Sequence, residues 1–466
     1  MPGKFAFSVQ VFSSSRDLPV HVGWCFTLAM VILSVFLWPA GSPAETKGRP
    51  SPLVVVTSFP ESLYLTVRDA FTSAHPQIDV QVINKKTTAA ISYIQQTLDP
   101  PPDLFWASSP DAFEILKESG HLQPYRFYSN QIPTAIRHYP IHDPDGCYLG
   151  FAISGYGIMY NRKYLEQHHL IPPASWGDLT SPRYFKHIGM SAPSRSGTTH
   201  LAVESILQYH GWAAGWKILL ELGGNLATIT ARSYGVPDGV NSGRFGIGIA
   251  IDFFGLSSKA LGMPVEFTYS HETALLPASI AVIKGAPNGI AARRFIDFLL
   301  SEQGQQILFK PHISRLPVMP AVYQTGPVGY PNPFEDDTPA GVVFDSELSK
   351  QRYNLVNTLF DHLITHRRNA LRRAWQTIHQ AQWRWASTED AAVGNLIDQA
   401  RLLATWVPVT AEEAQDKAFA SIFIRNRRGQ PLPARQATLE DRWERSLQQK
   451  IREAQDLAHR ALMLSK

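Results

Sequence analysis

Residues 53–59 of the chain, LVVVTSF, form a continuous run of β-branched and apolar residues without alternation. Such a run predicts a strand buried on both faces, as in parallel sheets. The pattern continues with a helix over 61–74, a strand over 78–84, a helix carrying Ile91, Ile94 and Leu98, and a strand over 103–106. Because strands and helices alternate, we expect an α/β fold with a parallel sheet and crossover helices.

Hydroxyl side chains follow the carboxyl ends of these strands. In open parallel sheets, ligands bind beyond those ends. Any one serine or threonine there is as easily an ordinary turn or cap residue. Together at one rim they favour a polar pocket, and the candidate ligand residues from this part of the chain are Ser58, Thr87, Thr88, Ser108 and Ser109.

A second unit begins near Phe151 and contains the most informative stretch, a predicted strand over 187–191 and an amphipathic helix over 200–210. The first N–H groups of a helix have no internal partner, and the helix dipole adds partial positive charge, so the loop between them suits an anion. An ordinary helix cap with a solvated arginine is the alternative. The loop lacks the lysine of a phosphate-hydrolysing P-loop, which favours binding without cleavage. Its candidate residues are Ser194, Arg195, Ser196, Gly197, Thr198 and Thr199.

Further candidates follow later strands of this unit: Arg232 and Ser233, then Asp252, then Tyr269. Asp252 can accept hydrogen bonds from a ligand or hold Arg232 or Arg195 in an ion pair. The strand at 281–283 is expected to rejoin the first unit, so the chain crosses twice between two lobes, with hinges near 154–157 and 264–269. The expected division is lobe 1 over 45–150 and 270–322, lobe 2 over 151–269, and an extension over 323–466.

The extension opens with a linker rich in proline and glycine at 323–342 and continues with a helix over 353–386. A last helix is predicted from Thr438, with Asp441 three residues on in a capping-box-like start. The extension is either a helical cap packed on the lobes or a docking module for a membrane partner or anionic surface. His362 and His366 have the spacing of a metal pair, but no third ligand is evident at a fixed spacing, so no metal is expected.

The N-terminus carries an apolar run over 22–38, followed by small residues and proline. This pattern predicts a secretory signal peptide over 1–44 and a mature chain from Glu45; a retained membrane anchor is the alternative. In either case we expect the body of the chain to be exported, and the family resemblance described below implies the periplasm. The only two cysteines, Cys25 and Cys147, exclude a disulfide framework and a cysteine-built metal site.

The composition and the absence of certain motifs exclude several classes of function. The 466 residues are 44% hydrophobic and 18% charged, which is typical of a globular chain. The formal charge of +4 is concentrated in the last quarter, so the main body is not a basic nucleic-acid surface. Motifs of common enzyme classes and paired catalytic carboxylates are absent, and we expect no enzyme and no cofactor. A phosphoester hydrolase with Asp252 or His200 as base is a weaker alternative.

The stretch from Ser191 to Asp252, including Ser194-Arg195-Ser196, Thr199-His200-Leu201 and Arg232-Ser233-Tyr234-Gly235-Val236, resembles the binding-protein-like regulatory component of phosphoglycerate transport systems. That family is akin to type 2 periplasmic solute-binding proteins that bind iron or sugar phosphates. The resemblance implies a two-lobed monomer that closes on a small anionic, phosphorylated metabolite and presents the closed form to an ABC permease or a sensor kinase.

Two features bear on the ligand that the resemblance implies. The loop over 84–88, Asn-Lys-Lys-Thr-Thr, departs from the more serine- and glycine-rich loop of the phosphoglycerate member, which leaves the ligand's identity open. Iron-binding members use adjacent tyrosines, whereas Tyr234 and Tyr269 stand apart, which argues against ferric iron. A ligand sensor of a two-component system, without transport, is the alternative function.

Overall fold

The computed structural model describes residues 51–96, 99–335, 341–424 and 431–465. The predicted signal peptide over 1–44, the expected start at Glu45, and Leu98 lie outside these residues. Within them, no helix is both long and apolar enough to cross a membrane.

The strands alternate with helices along the first half of the chain, as the sequence predicts. In chain order they are β1 Leu53–Thr57, β2 Val80–Asn84, β3 Leu104–Ala107, β4 Leu122–Gln123, β5 Ala135–Ile136, β6 Tyr139–Pro140, β7 Leu149–Ser154, β8 Tyr156–Asn161, β9 Ile188–Ser191, β10 Leu226–Thr230, β11 Ile247–Ile251, β12 Val265–Tyr269, β13 Leu276–Ile283 and β14 Leu316–Pro317.

Two mixed sheets organise the described chain. The first has the order β14-β7-β13-β3-β1-β2, with β4 also pairing with β13. Here β2, β1 and β3 run parallel, whereas β13 is antiparallel to β3. The second sheet has the order β10-β9-β11-β8-β12. We call the part built on the first sheet lobe 1 and the part built on the second lobe 2.

The chain passes between the sheets twice, once within the predicted hinge at 154–157 and once just beyond the other predicted hinge. Strand β7 pairs with β13 in the first sheet, so the expected boundary at Phe151 falls inside lobe 1 and the first crossing lies at Gly155. The second crossing lies at residues 270–275, between β12 and β13, just after the predicted hinge at 264–269. A Cβ on Gly155 would lie 2.9 Å from both Leu275 and Tyr269, so the two crossing segments touch.

Helices cover the sheets and form the extension. Those of the lobes are α1 Glu61–Ala74, α2 Thr87–Ile94, α3 Pro110–Glu118, α4 Arg162–Gln167, α5 Gly197–His210, α6 Trp212–Asn225, α7 Gly235–Asn241, α8 Asp252–Ala260, α9 Gly289–Leu300 and α10 Glu302–Ile307. Those of the extension are α11 Ser346–Gln351, α12 Tyr353–Phe360, α13 Arg368–Thr388, α14 Ala391–Ala404, α15 Ala411–Gln415, α16 Lys417–Ala420 and α17 Ala434–Leu464, with a π-helical turn over Asp361–Thr365.

The extension shares one hydrophobic core with lobe 2. Trp216 of α6, Trp375 of α13 and Leu447 of α17 belong to the same buried cluster. This packing is what the helical-cap alternative predicts. The predicted helix start at Thr438 is wrong: α17 begins at Ala434, and the Thr438 hydroxyl donates to the Ala434 carbonyl within the helix. A threonine inside a helix can make this bond to the preceding turn, so it is not a reliable start signal.

Candidate ligand-binding cleft

A cavity of about 260 Å³ lies between the two lobes. Its lining includes three residues predicted from the strand ends of lobe 1: Ser58, Thr87 and Ser108. From lobe 2 it includes five predicted residues: Arg195, Ser196, Thr198, Arg232 and Ser233. Asn84, Lys86, Phe59, Tyr234 and Phe253, which were not among the predicted site residues, also line it. The cavity is therefore a polar cleft with aromatic residues on its wall.

The loop between β9 and α5 places the N-terminus of α5 in the cleft. Ser196 is the N-cap of α5: its hydroxyl accepts from the Thr199 backbone N–H at 3.2 Å and lies 2.7 Å from the Thr198 hydroxyl. The N–H groups of Gly197 and Thr198 precede the first intrahelical bond, so they have no acceptor within the helix. Because the dipole adds positive potential there, the first turn of α5 suits an anionic group.

Basic side chains outnumber acidic ones in the described lining of the cleft: Lys86, Arg195 and Arg232 against Glu61. The guanidinium carbon of Arg232 lies 5.7 Å from the centre of the Tyr234 ring. Neither Arg195 nor Arg232 pairs with a carboxylate of the described residues. Arginine forms two parallel hydrogen bonds with phosphate or carboxylate, so these side chains can hold an anion next to α5.

Gly197 and Ser109 form a direct contact between the lobes instead of lining the cleft. A Cβ on Gly197 would lie only 2.8 Å from the Ser109 Cβ and 3.1 Å from the Thr87 Cγ2. Thr199 is also outside the lining, and its N–H is used by the Ser196 cap. The glycine thus lets lobe 2 approach lobe 1 closely at the start of α5.

Thr88 and Ser194 face a second cavity, of about 310 Å³, behind the loop. Its other wall comes from the extension and includes His362, His366 and Glu440. The Nε2 of His362 lies 3.1 Å from a Glu440 carboxylate oxygen. No group of three side chains suited to a metal ion is found within the described ranges.

Asp252 and Tyr269 lie at the chain crossings, outside the cleft lining. The Asp252 carboxylate accepts from the N–H groups of Gly155 and Phe253, both at 2.7 Å, and from the Tyr269 hydroxyl at 3.0 Å. Burial raises the pKa of Asp252 to about 6, and these hydrogen bonds oppose the rise. The ion pair considered with Arg232 or Arg195 is not formed in the described part of the chain. Asp252 instead joins the first crossing to α8.

His200 is completely buried and points away from the cleft towards the extension. Its Nδ1 lies 2.9 Å from the Asn357 side-chain oxygen and its Nε2 lies 3.2 Å from the Ser349 hydroxyl. Burial lowers its pKa to about 4. These contacts give His200 a structural role, and it cannot act as a base on a ligand in the cleft.

Arg315 is a residue near the cleft that the sequence did not single out. It lies just before β14, is 1% exposed, and its guanidinium carbon is 4.3 Å from the centre of the Phe59 ring and 3.6 Å from that of Phe253. Both rings line the cleft. No local motif surrounds this arginine, so only the three-dimensional arrangement reveals it.

The two lobes, the double crossing and the cleft between them define the class of type 2 periplasmic solute-binding proteins, which confirms the expected fold. The chain shares this fold with the periplasmic binding protein AfuA of Actinobacillus pleuropneumoniae, solved with fructose-6-phosphate bound, at a TM-score of 0.58 and 21% identity. The match covers 66% of this chain and 98% of AfuA. The periplasmic binding protein P5PA matches with the same coverage and identity at a TM-score of 0.59.

Residues 99–339 match the family described as bacterial extracellular solute-binding protein. The chain is also 32% identical over 373 residues to the phosphoglycerate transport regulatory protein PgtC of Salmonella typhimurium, covering 80% of this chain and 89% of that relative. The chain therefore belongs to this family of extracellular solute-binding proteins. As expected, it is a binding protein and not an enzyme.

Proposed function

We propose that the protein captures a small phosphorylated anion, a phosphoglycerate-like acid or a sugar phosphate, in the cleft between its lobes. The observation that carries the proposal is the first turn of α5, which opens into the cleft with Arg195 and Arg232 beside it. Two arginines at a helix N-terminus offer a phosphate both charge and several N–H donors. Ser58, Thr87 and Ser108 face them from lobe 1 and would hold the rest of the ligand.

The relatives support this class of ligand. One is a phosphoglycerate transport regulatory protein and one was solved with a sugar phosphate bound. A family relative, the iron uptake protein A1 of Synechocystis, is 25% identical over 341 residues. The described cleft, however, offers arginine and hydroxyl donors, which suit an anion better than a ferric ion.

In this proposal the protein is exported through the N-terminal signal peptide and works in the periplasm. Ligand contacts made only when the lobes are closed would favour the closed form, with movement at the two crossings. The closed form would then be recognised by a membrane partner, either an ABC permease or a sensor kinase.

Calorimetric titration of the purified protein tests the ligand proposal. Candidate ligands are 3-phosphoglycerate, glycerol 3-phosphate, fructose 6-phosphate and ferric citrate. We expect binding of at least one phosphorylated compound, weakened about 10- to 100-fold by Arg195→Ala because a charge-assisted hydrogen bond is lost. Arg183→Ala, an exposed arginine of the same lobe outside the cleft, is the matched control and should bind normally. Binding of ferric citrate alone, or equal binding by both variants, would overturn the proposal.

Transport and sensing are separated by experiments in cells. If the protein serves a permease, deletion of its gene abolishes uptake of the labelled ligand. If it is an accessory of a sensor kinase, uptake persists and the transcriptional response to the ligand is lost. Complementation with Arg195→Ala should fail in whichever assay the deletion affects.

A further inference from the structure

Arg315 is a buried cation for which the described residues supply no hydrogen-bond acceptor. None of its three guanidinium nitrogens has a hydrogen-bond partner among the described residues. Burial lowers its pKa to about 9, so the side chain remains protonated at neutral pH. Burying an unpaired charge is costly, and an arginine that carries five N–H donors without an acceptor calls for an explanation.

The nearby acid, Asp252, does not provide the missing acceptor. Its oxygens accept from the backbone N–H groups of Gly155 and Phe253 and from the Tyr269 hydroxyl. Its charge attracts Arg315 without a hydrogen bond between them. The guanidinium therefore keeps its donors while it lies in a region of negative potential.

The position of Arg315 links it to the cleft. Phe59 comes from lobe 1 and Phe253 from lobe 2, and both rings form part of the cleft wall. The guanidinium carbon lies within 4.3 Å of the centre of each ring. Aromatic rings contact the face of a guanidinium, whereas its N–H donors lie in the plane and remain available at the edges. Side chains at a binding site commonly change rotamer when a ligand binds, and the inference requires such a movement of Phe59 or Phe253 to bring these donors to the ligand.

We propose that Arg315 binds a second acidic group of the ligand, so that the cleft selects a phosphorylated acid over a phosphorylated alcohol. This inference rests on the proposed function: the first turn of α5 with Arg195 holds the phosphate, and Arg315 holds a carboxylate. Because Arg315 lies between rings of the two lobes, this contact also joins the lobes around the ligand. The ligand class is thereby narrowed to small molecules with two separate anionic groups.

Two probes that differ in the carboxylate test the inference: 3-phosphoglycerate and glycerol 3-phosphate. We expect the wild-type protein to bind the first at least about tenfold more tightly. Arg315→Met retains length and packing against the rings but removes the charge, and it should abolish this preference while leaving glycerol 3-phosphate binding unchanged. Arg315→Lys keeps the charge and should retain part of the preference. Arg195→Ala should weaken binding of both probes equally.

Each outcome has a distinct meaning. A wild-type protein without preference between the probes overturns the inference, with no variant needed, and leaves the proposed function standing. Equal weakening of both probes by Arg315→Met assigns the arginine a structural role, and an unchanged preference points to water as its partner; both overturn the inference. A wild-type protein that binds neither probe overturns the inference, and one that also fails to bind fructose 6-phosphate overturns the proposed function as well.

Discussion

Helix α5 contributes residues to two different polar environments within two turns: the cleft and the buried contact with the extension. Its first turn opens into the cleft, where Ser196 and Thr198 lie beside Arg195. One turn further on, Glu204 is fully buried and is held by Arg352 of the extension through hydrogen bonds of 2.6 and 3.0 Å. In the cleft, Arg195 and Arg232 pair with no carboxylate of the described residues, whereas Glu204 and Arg352 pair with each other where α5 meets the extension. The comparison shows that an arginine available to a ligand is recognised by its lack of a protein partner.

The largest expected effect is on the free energy of unfolding, and it comes from breaking the buried ion pair between Glu204 and Arg352. Arg352→Met leaves the Glu204 carboxylate buried without its partner, and we expect a loss of about 3–5 kcal/mol in the free energy of unfolding, measured by urea denaturation. Arg445→Met is the matched control, because Arg445 forms an exposed pair with Asp441 on α17 and such pairs contribute little. A loss for Arg352→Met no larger than that of the control would show that the buried pair does not stabilise the extension.

A smaller effect, on ligand affinity, is expected from a substitution at the contact between the lobes. Gly197→Ala places a methyl group 2.8 Å from the Ser109 Cβ, a distance that forces the lobes apart. We expect the affinity for a phosphorylated ligand to fall by about tenfold, or about 1.4 kcal/mol, in calorimetric titration. Gly289→Ala at the start of α9 meets nothing within 4 Å and should bind as the wild type does. Normal binding by Gly197→Ala would mean that this contact is not needed for closure.

Asp111 allows a pH-dependent test of the stability of the buried region where α5 packs against the extension. It is completely buried beneath α5 and the extension, with Oδ2 at 3.7 Å from the His200 Nε2. Burial raises its pKa well above the usual range, partly offset by the Ser349 hydroxyl. The native state then holds a proton that the unfolded chain releases above about pH 4, so stability falls as the pH rises towards the native pKa.

Asp111→Asn cannot ionise and should escape this loss. We expect its advantage over the wild type in unfolding free energy to grow with pH by up to about 1.4 kcal/mol per unit, starting near pH 4. The lowered pKa of His200 acts in the opposite direction but is common to both proteins. Asp145→Asn, which removes an exposed partner of Lys117, should show the opposite trend. A constant difference between Asp111→Asn and wild type across pH would contradict the assignment.

The sequence predicted the helices and strands that are determined by the spacing of apolar residues along the chain. Helix α1 was expected over 61–74 and is found there, because its buried residues recur at helical spacing. Phe151, near which the second unit was expected to begin, lies in β7 of the first sheet, because β7 and β8 are both apolar and only their partners decide which sheet each joins. Extension helices α14 to α16 were not predicted individually.

The candidate site, too, could be predicted from local sequence only in part. Serine, threonine and arginine at strand ends indicated the cleft, and eight of the predicted residues line it. Thr88 and Ser194 face the cavity on the far side of the loop, because neighbouring residues in a turn or helix point in different directions. Arg315 was missed because its burial depends on Phe59 and Phe253, which are distant in sequence.

The most direct test of the central claim is a crystal structure of the protein with 3-phosphoglycerate. The account predicts the phosphate at the first turn of α5, within hydrogen-bond distance of the Thr198 N–H and the Arg195 guanidinium, with residues of lobe 1 on its other side. A phosphate bound away from this turn, or crystals grown at saturating ligand with an empty cleft, would contradict it.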